Sequence, residues 1–96
     1  MIEQIDTDIE VLDTGYSILV RPNPFSDFTT IEVEGLPEGN YQLELMDILG
    51  RKVRELKSGE NGVWEIERED LESGVYLFRI ESVGGELVGS GKVLVE

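Results

Sequence analysis

Clusters of carboxylate side chains are the first feature of this sequence that could support chemistry. Glu67, Glu69 and Asp70 lie close together along the chain, and paired carboxylates can serve as the acid and base of a hydrolytic reaction. The chain carries 21 acidic residues among its 96, so neighbouring carboxylates are expected from composition alone. Their proximity says little without a pocket or a shifted pKa. The sequence therefore predicts a protein that is not an enzyme.

The absence of two residue types disfavours further classes of chemistry. The chain has no histidine, the commonest general base and metal ligand, and no cysteine, the source of thiol nucleophiles and thiolate metal sites. Hydrolysis by a catalytic triad and structural zinc binding both depend on these residues. We expect no cofactor.

Calcium binding by an adhesion module is an alternative use of the acidic residues. Two groups could supply hard oxygen ligands: Asp6, Asp8 and Asp13 near the N-terminus, and Glu69, Asp70 and Glu72 further along. Neither group has the D-x-D-x-D-G spacing of a known calcium loop. A structural or adhesive module that binds calcium thus stays open as an alternative.

The charge balance limits the partners that this chain can bind. The formal net charge is -13, which repels nucleic acid and anionic lipid. No run approaches the roughly 20 apolar residues of a membrane span, so no membrane insertion is expected. The N-terminus lacks the basic and apolar regions of a signal peptide. If the parent protein is exported, we expect this chain to be one piece of it.

A strand, a tight turn and a returning strand over residues 41–57 organise the rest of the chain. Tyr41, Leu43 and Leu45 alternate with other residues, which predicts one buried face of an extended strand. Residues 47–50 then predict a tight connection, because Asp47 can bond its own backbone and Gly50 tolerates a positive φ. Residues 51–57 form the predicted partner strand.

Other short apolar segments predict further strands, separated by turn signals every 8 to 12 residues or so. Pro22 and Pro24 end one strand and let Phe25 tuck back against the core. Turns at Asn61-Gly62 and Gly84-Gly85 predict two more hairpins. Residues 68–74 are expected to arch between two sheets. The additional predicted strands are residues 16–20, 29–34, 63–67, 75–83 and 86–96.

Together these segments predict an all-β, immunoglobulin-like antiparallel β-sandwich of seven or eight short strands. Residues 1–15 are expected to be a linker or weak edge strand, and residues 16–96 the folded domain. Trp64 is predicted to be a core residue. In the last strand, Val93 and Val95 are predicted to face inward, Lys92 and Leu94 outward, and Gly89 and Gly91 suggest a bulge.

Six ordered segments carry a family resemblance: PNPF at residues 22–25, TT at 29–30, LP at 36–37, DILGRKV at 47–53, LESGVYLFRI at 71–80 and GKVLV at 91–95. In this order and spacing they resemble the C-terminal sorting domain of type IX secretion substrates, over about residues 17–96. The same strand signature is similar to the immunoglobulin-like domain of flagellar hook-capping proteins, which is kept as the alternative.

The resemblance implies a sorting and secretion signal. A parent of this family carries an N-terminal cargo, crosses the inner membrane, and is recognised in the periplasm by the outer-membrane translocon. A sortase-like peptidase then commonly removes the domain at the cell surface, so that the cargo is anchored there or secreted. We expect the domain itself to be non-catalytic and monomeric.

The resemblance also assigns the sorting-motif residues. They are Asp47, Gly50 and Arg51 at the central turn, Gly74, Val75 and Tyr76 before the densest strand, and Gly91, Lys92, Val93, Leu94 and Val95 in the last strand. Cleavage is expected in the linker at Asp13, Thr14 and Gly15. Many members end in a basic residue, whereas this chain ends in Glu96. For Lys92 and Leu94, partner contact and a merely solvated edge are both compatible with the pattern.

Overall fold

Alternating apolar residues build eight β-strands within residues 9–11, 16–57 and 62–96, which the computed structural model describes. No helix occurs in these ranges. None of the described residues therefore forms a helix long and apolar enough to cross a membrane. The strands are β1 (Ile9–Val11), β2 (Ser17–Arg21), β3 (Phe28–Glu34), β4 (Tyr41–Met46), β5 (Lys52–Lys57), β6 (Val63–Glu67), β7 (Gly74–Ser82) and β8 (Leu87–Val95).

The strands form two antiparallel sheets whose inner faces share one core. The first sheet has the order β1-β2-β3-β6 and the second the order β5-β4-β7-β8. Ile18 and Ile31 of the first sheet, and Leu43, Phe78 and Ile80 of the second, are fully buried in the same cluster. The period-two pattern of the strands puts these residues on the inner faces. The predicted all-β antiparallel sandwich of seven or eight strands is confirmed.

Trp64 lies in this core, as predicted, and is 2% exposed. It stands opposite Ile31 on the neighbouring strand β3. Its indole N–H is buried and finds no hydrogen-bond partner among the described residues. The ring therefore contributes packing without a satisfied polar end, which is uncommon for a buried tryptophan.

The connection between β5 and β6 corrects one sequence-based prediction. A hairpin through Asn61-Gly62 is wrong, because β5 pairs with β4 in the second sheet whereas β6 pairs with β3 in the first. Asn61 lies outside the described residues. Gly62 instead lets two backbones approach closely: its φ is +78°, its C=O accepts a bond from Val33 N–H at 2.9 Å, and a Cβ would stand 2.7 Å from Val33 O.

The hairpin between β7 and β8 is longer than the predicted two-residue turn. Residues 83–86 connect the strands, and Ser82 N–H donates to Glu86 O at 2.8 Å. The pairing changes from Ile80 opposite Gly89 to Glu81 opposite Leu87, which leaves Val88 as an extra residue. This bulge turns Val88 into the core, next to the glycine that suggested it.

The remaining connections follow the sequence more closely. Residues 68–73 cross from β6 in the first sheet to β7 in the second, as predicted for an arch between sheets. At the N-terminus, Ile9–Val11 pairs with β2 at the edge of the first sheet. Residues 1–8 and 12–15 lie outside the described residues. The domain boundary at residue 15 stays a prediction.

Candidate interaction site at strand β8

Strand β8 is one edge of the second sheet, and β7 is the one strand beside it along the part of the chain that the structure describes. Val93 pairs with Tyr76 and Val95 with Gly74, and both valine side chains are buried. Lys92 is exposed and Leu94 is half-buried on the opposite face. The predicted inward and outward positions of this strand are therefore confirmed.

Residues 22–25, here called the strap, close one end of the free edge of β8. Leu94 N–H donates to Asn23 Oδ1 at 2.9 Å. Phe25 N–H donates to Leu94 O, and Glu96 N–H donates to Phe25 O, both at 2.9 Å. The ring of Phe25 is 1% exposed, so the strap is fixed by packing as well as by hydrogen bonds. The strap occupies the backbone groups that Leu94 presents to the free edge.

The arch between β6 and β7 holds the residue after β8. Arg68 Nη1 donates to Glu96 O at 2.7 Å, and Ser73 Oγ donates to the same oxygen at 2.8 Å. Arg68 Nε also donates to Leu71 O at 3.0 Å, which braces the guanidinium against its own loop. The arch and the strap together fix the backbone at Leu94 and Glu96.

The preceding part of the same edge, here called the open edge, is formed by Ser90 and Lys92. Successive residues of a strand point their backbone groups to opposite sides, so Ser90 and Lys92 face the same side as Leu94. Neither residue makes a backbone bond on that side with any described residue. The open edge thus presents two N–H and two C=O groups.

A groove of about 410 Å³ runs beside the open edge on the outer face of the second sheet. Met46, Leu77 and Leu87 supply its apolar lining, and Ser90 and Lys92 form its border. Leu77 is 39% exposed and Leu87 46%, so both present apolar surface to the groove. A protein strand added at this edge would have an apolar surface next to it.

The two outer faces of the sandwich differ in charge. Among the side chains that the structure describes on the first sheet, the exposed or half-buried charges are Arg21, Glu32, Glu34, Glu65 and Glu67. On the second sheet they are Glu44, Lys52, Glu55, Lys57, Arg79, Glu81 and Lys92. The first face is therefore acidic, whereas the second carries basic and acidic side chains in near balance on a chain of net charge -13.

Lys92 differs from Lys52 and Arg79 on this face, and resembles Lys57 on β5 in forming no ion pair with a described residue. Lys52 lies 3.6 Å from both Glu44 and Glu55, and Arg79 lies 2.7 Å from Glu81. Lys92 forms no ion pair with any residue in the described ranges. Its ammonium group is free to meet an acidic partner.

The turn between β4 and β5 places three more residues of the predicted motif. Asp47 Oδ1 accepts bonds from the N–H groups of Leu49 and Arg51, each at 2.9 Å, and Arg51 Nε donates to Asp47 Oδ2 at 2.8 Å. The bond from the Arg51 N–H, aided by the other donors, lowers the pKa of Asp47 below its ordinary value of 3.8. Gly50 has φ +86°, as the turn requires.

The start of β7 holds Gly74, Val75 and Tyr76. Gly74 has φ +146°, a conformation that disfavours other residues although a Cβ there would meet nothing within 4 Å. Tyr76 is buried and its hydroxyl donates to Glu72 O at 2.7 Å. Val75 faces outward and borders the turn residue Ile48 in a shallow surface depression. Gly74 and Tyr76 are thus placed in structural roles, and Val75 on the surface.

The second sheet brings together the three groups of the predicted motif. The turn at Asp47 and the start of β7 meet at one end, where Val93 and Val95 of β8 pair with Tyr76 and Gly74. Lys92 and Gly91 of β8 pair with Leu77 and Phe78, which lie further along β7. The predicted cleavage residues Asp13, Thr14 and Gly15 lie outside the described residues.

Sequence reasoning missed Asn23, Arg68 and Ser73, which fix the last residues of β8. No local signal could have found Asn23, because its bond to Leu94 joins positions 71 residues apart. Arg68 and Ser73 lie in a polar segment whose residues could equally have faced solvent. Their role depends on where the arch passes relative to β8.

The acidic clusters do not form a metal site in the described part of the chain. No group of three or more carboxylates there is placed to hold an ion. Arg54 instead approaches Asp70 at 3.1 Å and Glu69 at 3.7 Å. Asp6, Asp8 and Asp13 lie outside the described residues.

Comparisons with known proteins give a family for the sequence and a likeness for the fold. A family model described as a secretion system C-terminal sorting domain matches residues 19–96. A solved structure of a DUF3244 family protein from Bacteroides vulgatus ATCC 8482, with an immunoglobulin-like β-sandwich fold, superposes with a TM-score of 0.62. It is 13% identical over 84% of this chain and 83% of that one. The predicted immunoglobulin-like arrangement is thereby confirmed. No curated protein sequence matches the chain.

Proposed function

The chain belongs to the secretion system C-terminal sorting domain family, and from that membership we propose that it directs a cargo protein through the type IX outer-membrane translocon. The observation that carries the proposal is the extent of the match. It spans residues 19–96, which include the whole of β3 to β8 and most of β2. The sorting signal is then the folded sandwich, and not a short peptide.

The family membership indicates a type IX sorting signal and export to the cell surface or medium. We propose that the cargo precedes this domain in the parent protein. The domain is recognised in the periplasm, and a sortase-like peptidase then cleaves near Asp13, Thr14 and Gly15. Lys92 and neighbouring groups on the outer face of the second sheet are the proposed recognition surface.

The proposal assigns no catalytic step to the domain. The carboxylates that the sequence places closest together, Glu69 and Asp70, are both exposed and both interact with Arg54. This arrangement supports a binding role over an enzymatic one.

The test is export of a fluorescent cargo. Residues 1–96 are fused behind a signal peptide and the cargo, and the fusion is expressed in a type IX-competent bacterium. If the domain directs export, the fluorescence of the cargo should appear at the cell surface or in the medium. The same fusion in a strain that lacks the translocon is expected to stay in the periplasm, as is cargo without the domain.

A truncated control tests whether export needs the folded domain. Truncation after Gly89 removes Val93 and Val95, which are buried, so this variant loses the sandwich along with the motif. It reports that a folded domain is needed but does not locate the recognition surface. Periplasmic retention of the intact fusion in the competent strain would contradict the proposed function.

A further inference from the structure

We infer that the open edge of β8, at Ser90 and Lys92, receives an extended acidic segment of a translocon protein as an added β-strand. This inference rests on the proposed function, because it names how the sorting domain is read. It concerns the mode of binding, which the family membership leaves open.

The backbone of the open edge sets the shape of the partner. Ser90 and Lys92 direct their N–H and C=O groups away from β7, and no described residue accepts or donates there. Such a row of unpaired groups is complemented by another extended chain, which supplies matching groups at the same spacing. The partner segment is therefore a strand and not a helix.

The strap limits the length of the added strand. Leu94 and Glu96 already bond to Asn23 and Phe25, so an incoming chain cannot continue past Lys92 without displacing the strap. At the other end, the bulge at Val88 interrupts the regular ladder. The open edge accepts a short segment whose ends are defined by the fold.

Side chains beside the open edge set the chemistry of the partner. Lys92 points to the outer face and has no ion pair with a described residue, so it favours an aspartate or glutamate opposite or diagonal to it. The groove lined by Met46, Leu77 and Leu87 accepts an apolar side chain of the same segment. The expected sequence thus combines an acidic residue with an apolar one on the same face of the strand.

The charge of the domain argues against a second copy as the occupant. Two whole domains of net charge -13 repel each other at close range, whereas a short segment brings only the charge of its own few residues to the open edge. A lysine on an edge strand is a common device against self-pairing, yet it leaves the edge available to an acidic strand. The open edge therefore favours a different protein over a homodimer.

The test uses the export fusion with substitutions at the open edge. Ser90→Pro removes one outward N–H and places a ring where the added strand would lie, without removing a bond to β7. Export is expected to fall about tenfold or more, the change in binding constant for each 1.4 kcal/mol of lost interaction. Lys92→Glu is expected to reduce export as well, because it repels an acidic segment.

Matched controls lie on other edges of the sandwich. Glu65→Pro places proline on the edge strand β6. Gly62 bonds to Val33 of β3 and Arg68 to Asp27, the residue before β3, so Glu65, three positions from each, directs its backbone to the free edge. Glu67, two positions on, faces the same side, and its C=O accepts from Arg54. Lys57→Glu makes the same charge change as Lys92→Glu on the exposed edge strand β5. Both controls are expected to be exported like the unmodified fusion.

The outcomes separate this inference from the proposed function. Export of the unmodified fusion together with full export of Ser90→Pro and Lys92→Glu would overturn strand addition and leave the sorting role standing. Light scattering on the purified domain supplies a second readout. A dimer that Ser90→Pro dissociates would identify a second copy as the occupant and would also overturn the inference. Thermal unfolding of each variant is measured so that only folded variants are compared.

Discussion

The free edge of β8 divides into two halves that belong to one strand but face different surroundings. At Leu94 and Glu96 the strap and the arch occupy the backbone groups. At Ser90 and Lys92 the same kind of group is left unpaired by the described residues. A contiguous sequence motif can thus combine a part that secures the fold with a part that stays accessible.

The sequence of the strap limits how much of the β8 edge it covers. Pro22 and Pro24 have no N–H, so neither can donate to β8. The side chain of Asn23 and the backbone of Phe25 make the bonds to β8. A segment with two prolines can therefore hold the edge at Leu94 and Glu96 and leave Ser90 and Lys92 uncovered.

Among the substitutions considered, removing the buried ring of Phe25 from the strap should lower the stability of the fold most. Phe25→Ala deletes a ring that is 1% exposed and is expected to lower the free energy of unfolding by about 3–5 kcal/mol. Urea unfolding followed by the fluorescence of Trp64, the single tryptophan, measures the change. Phe28→Ala is the control, because that ring is 45% exposed and should contribute far less. Equal losses in the two variants would mean that the strap is not anchored through Phe25.

Proline substitution compares the two halves directly. Leu94→Pro removes the N–H that bonds to Asn23 Oδ1 and places a proline ring against the strap, so it is expected to cost about 1–3 kcal/mol. Lys92→Pro removes an N–H that faces the open edge and is expected to cost less than about 1 kcal/mol. Chemical unfolding of both variants gives the comparison. Similar costs at the two positions would show that the edge is not divided as described.

A smaller effect is expected from the side chain that closes the edge. Asn23→Ala leaves the Leu94 N–H without its acceptor, at an expected cost of about 1 kcal/mol. Asn23→Asp keeps an oxygen in the same place and should retain more of the stability. Hydrogen exchange at Leu94 is the sharper readout: protection should fall in Asn23→Ala and be less affected in Asn23→Asp. Unchanged protection in Asn23→Ala would contradict the role of this bond.

The two halves also differ in how far sequence could predict them. Alternation in residues 91–95 correctly gave the inward and outward faces, because side-chain direction in a strand is a local property. The strap bonds were not predictable, since they join Asn23 to Leu94 across 71 positions. The wrong hairpin at Asn61-Gly62 has the same origin. A turn signal describes local backbone, whereas the choice of sheet for β6 depends on packing Trp64 beside Ile31 of β3.

The turn between β4 and β5 was predicted more accurately than the strap, because its hydrogen bonds join residues that are close in sequence. Asp47 satisfies Leu49 and Arg51 within four residues, and Gly50 supplies the positive φ. What the pattern could not give was the surroundings of these residues. The open edge, the groove and the unpaired charge of Lys92 all arise where β4, β7 and β8 meet, so they depend on the tertiary fold.

The turn at Asp47 depends on a charge, whereas the strap does not, and the expected change in stability with pH is small. The pKa of Asp47 is lowered in the fold, chiefly by the bond from the Arg51 N–H, so its carboxylate stabilises the fold above pH 3.8. That contribution is lost as the pH falls below 3.8 and through the lower pKa of the folded state. The stability difference between the unmodified protein and Asp47→Asn should therefore shrink on acidification, since the other acids titrate in both. Arg51→Gln removes the side-chain bond but keeps the backbone N–H, so it should retain part of this pH dependence. The two proteins could instead differ in stability by the same amount at every pH. The turn would then be held by backbone geometry alone and not by the charge of Asp47.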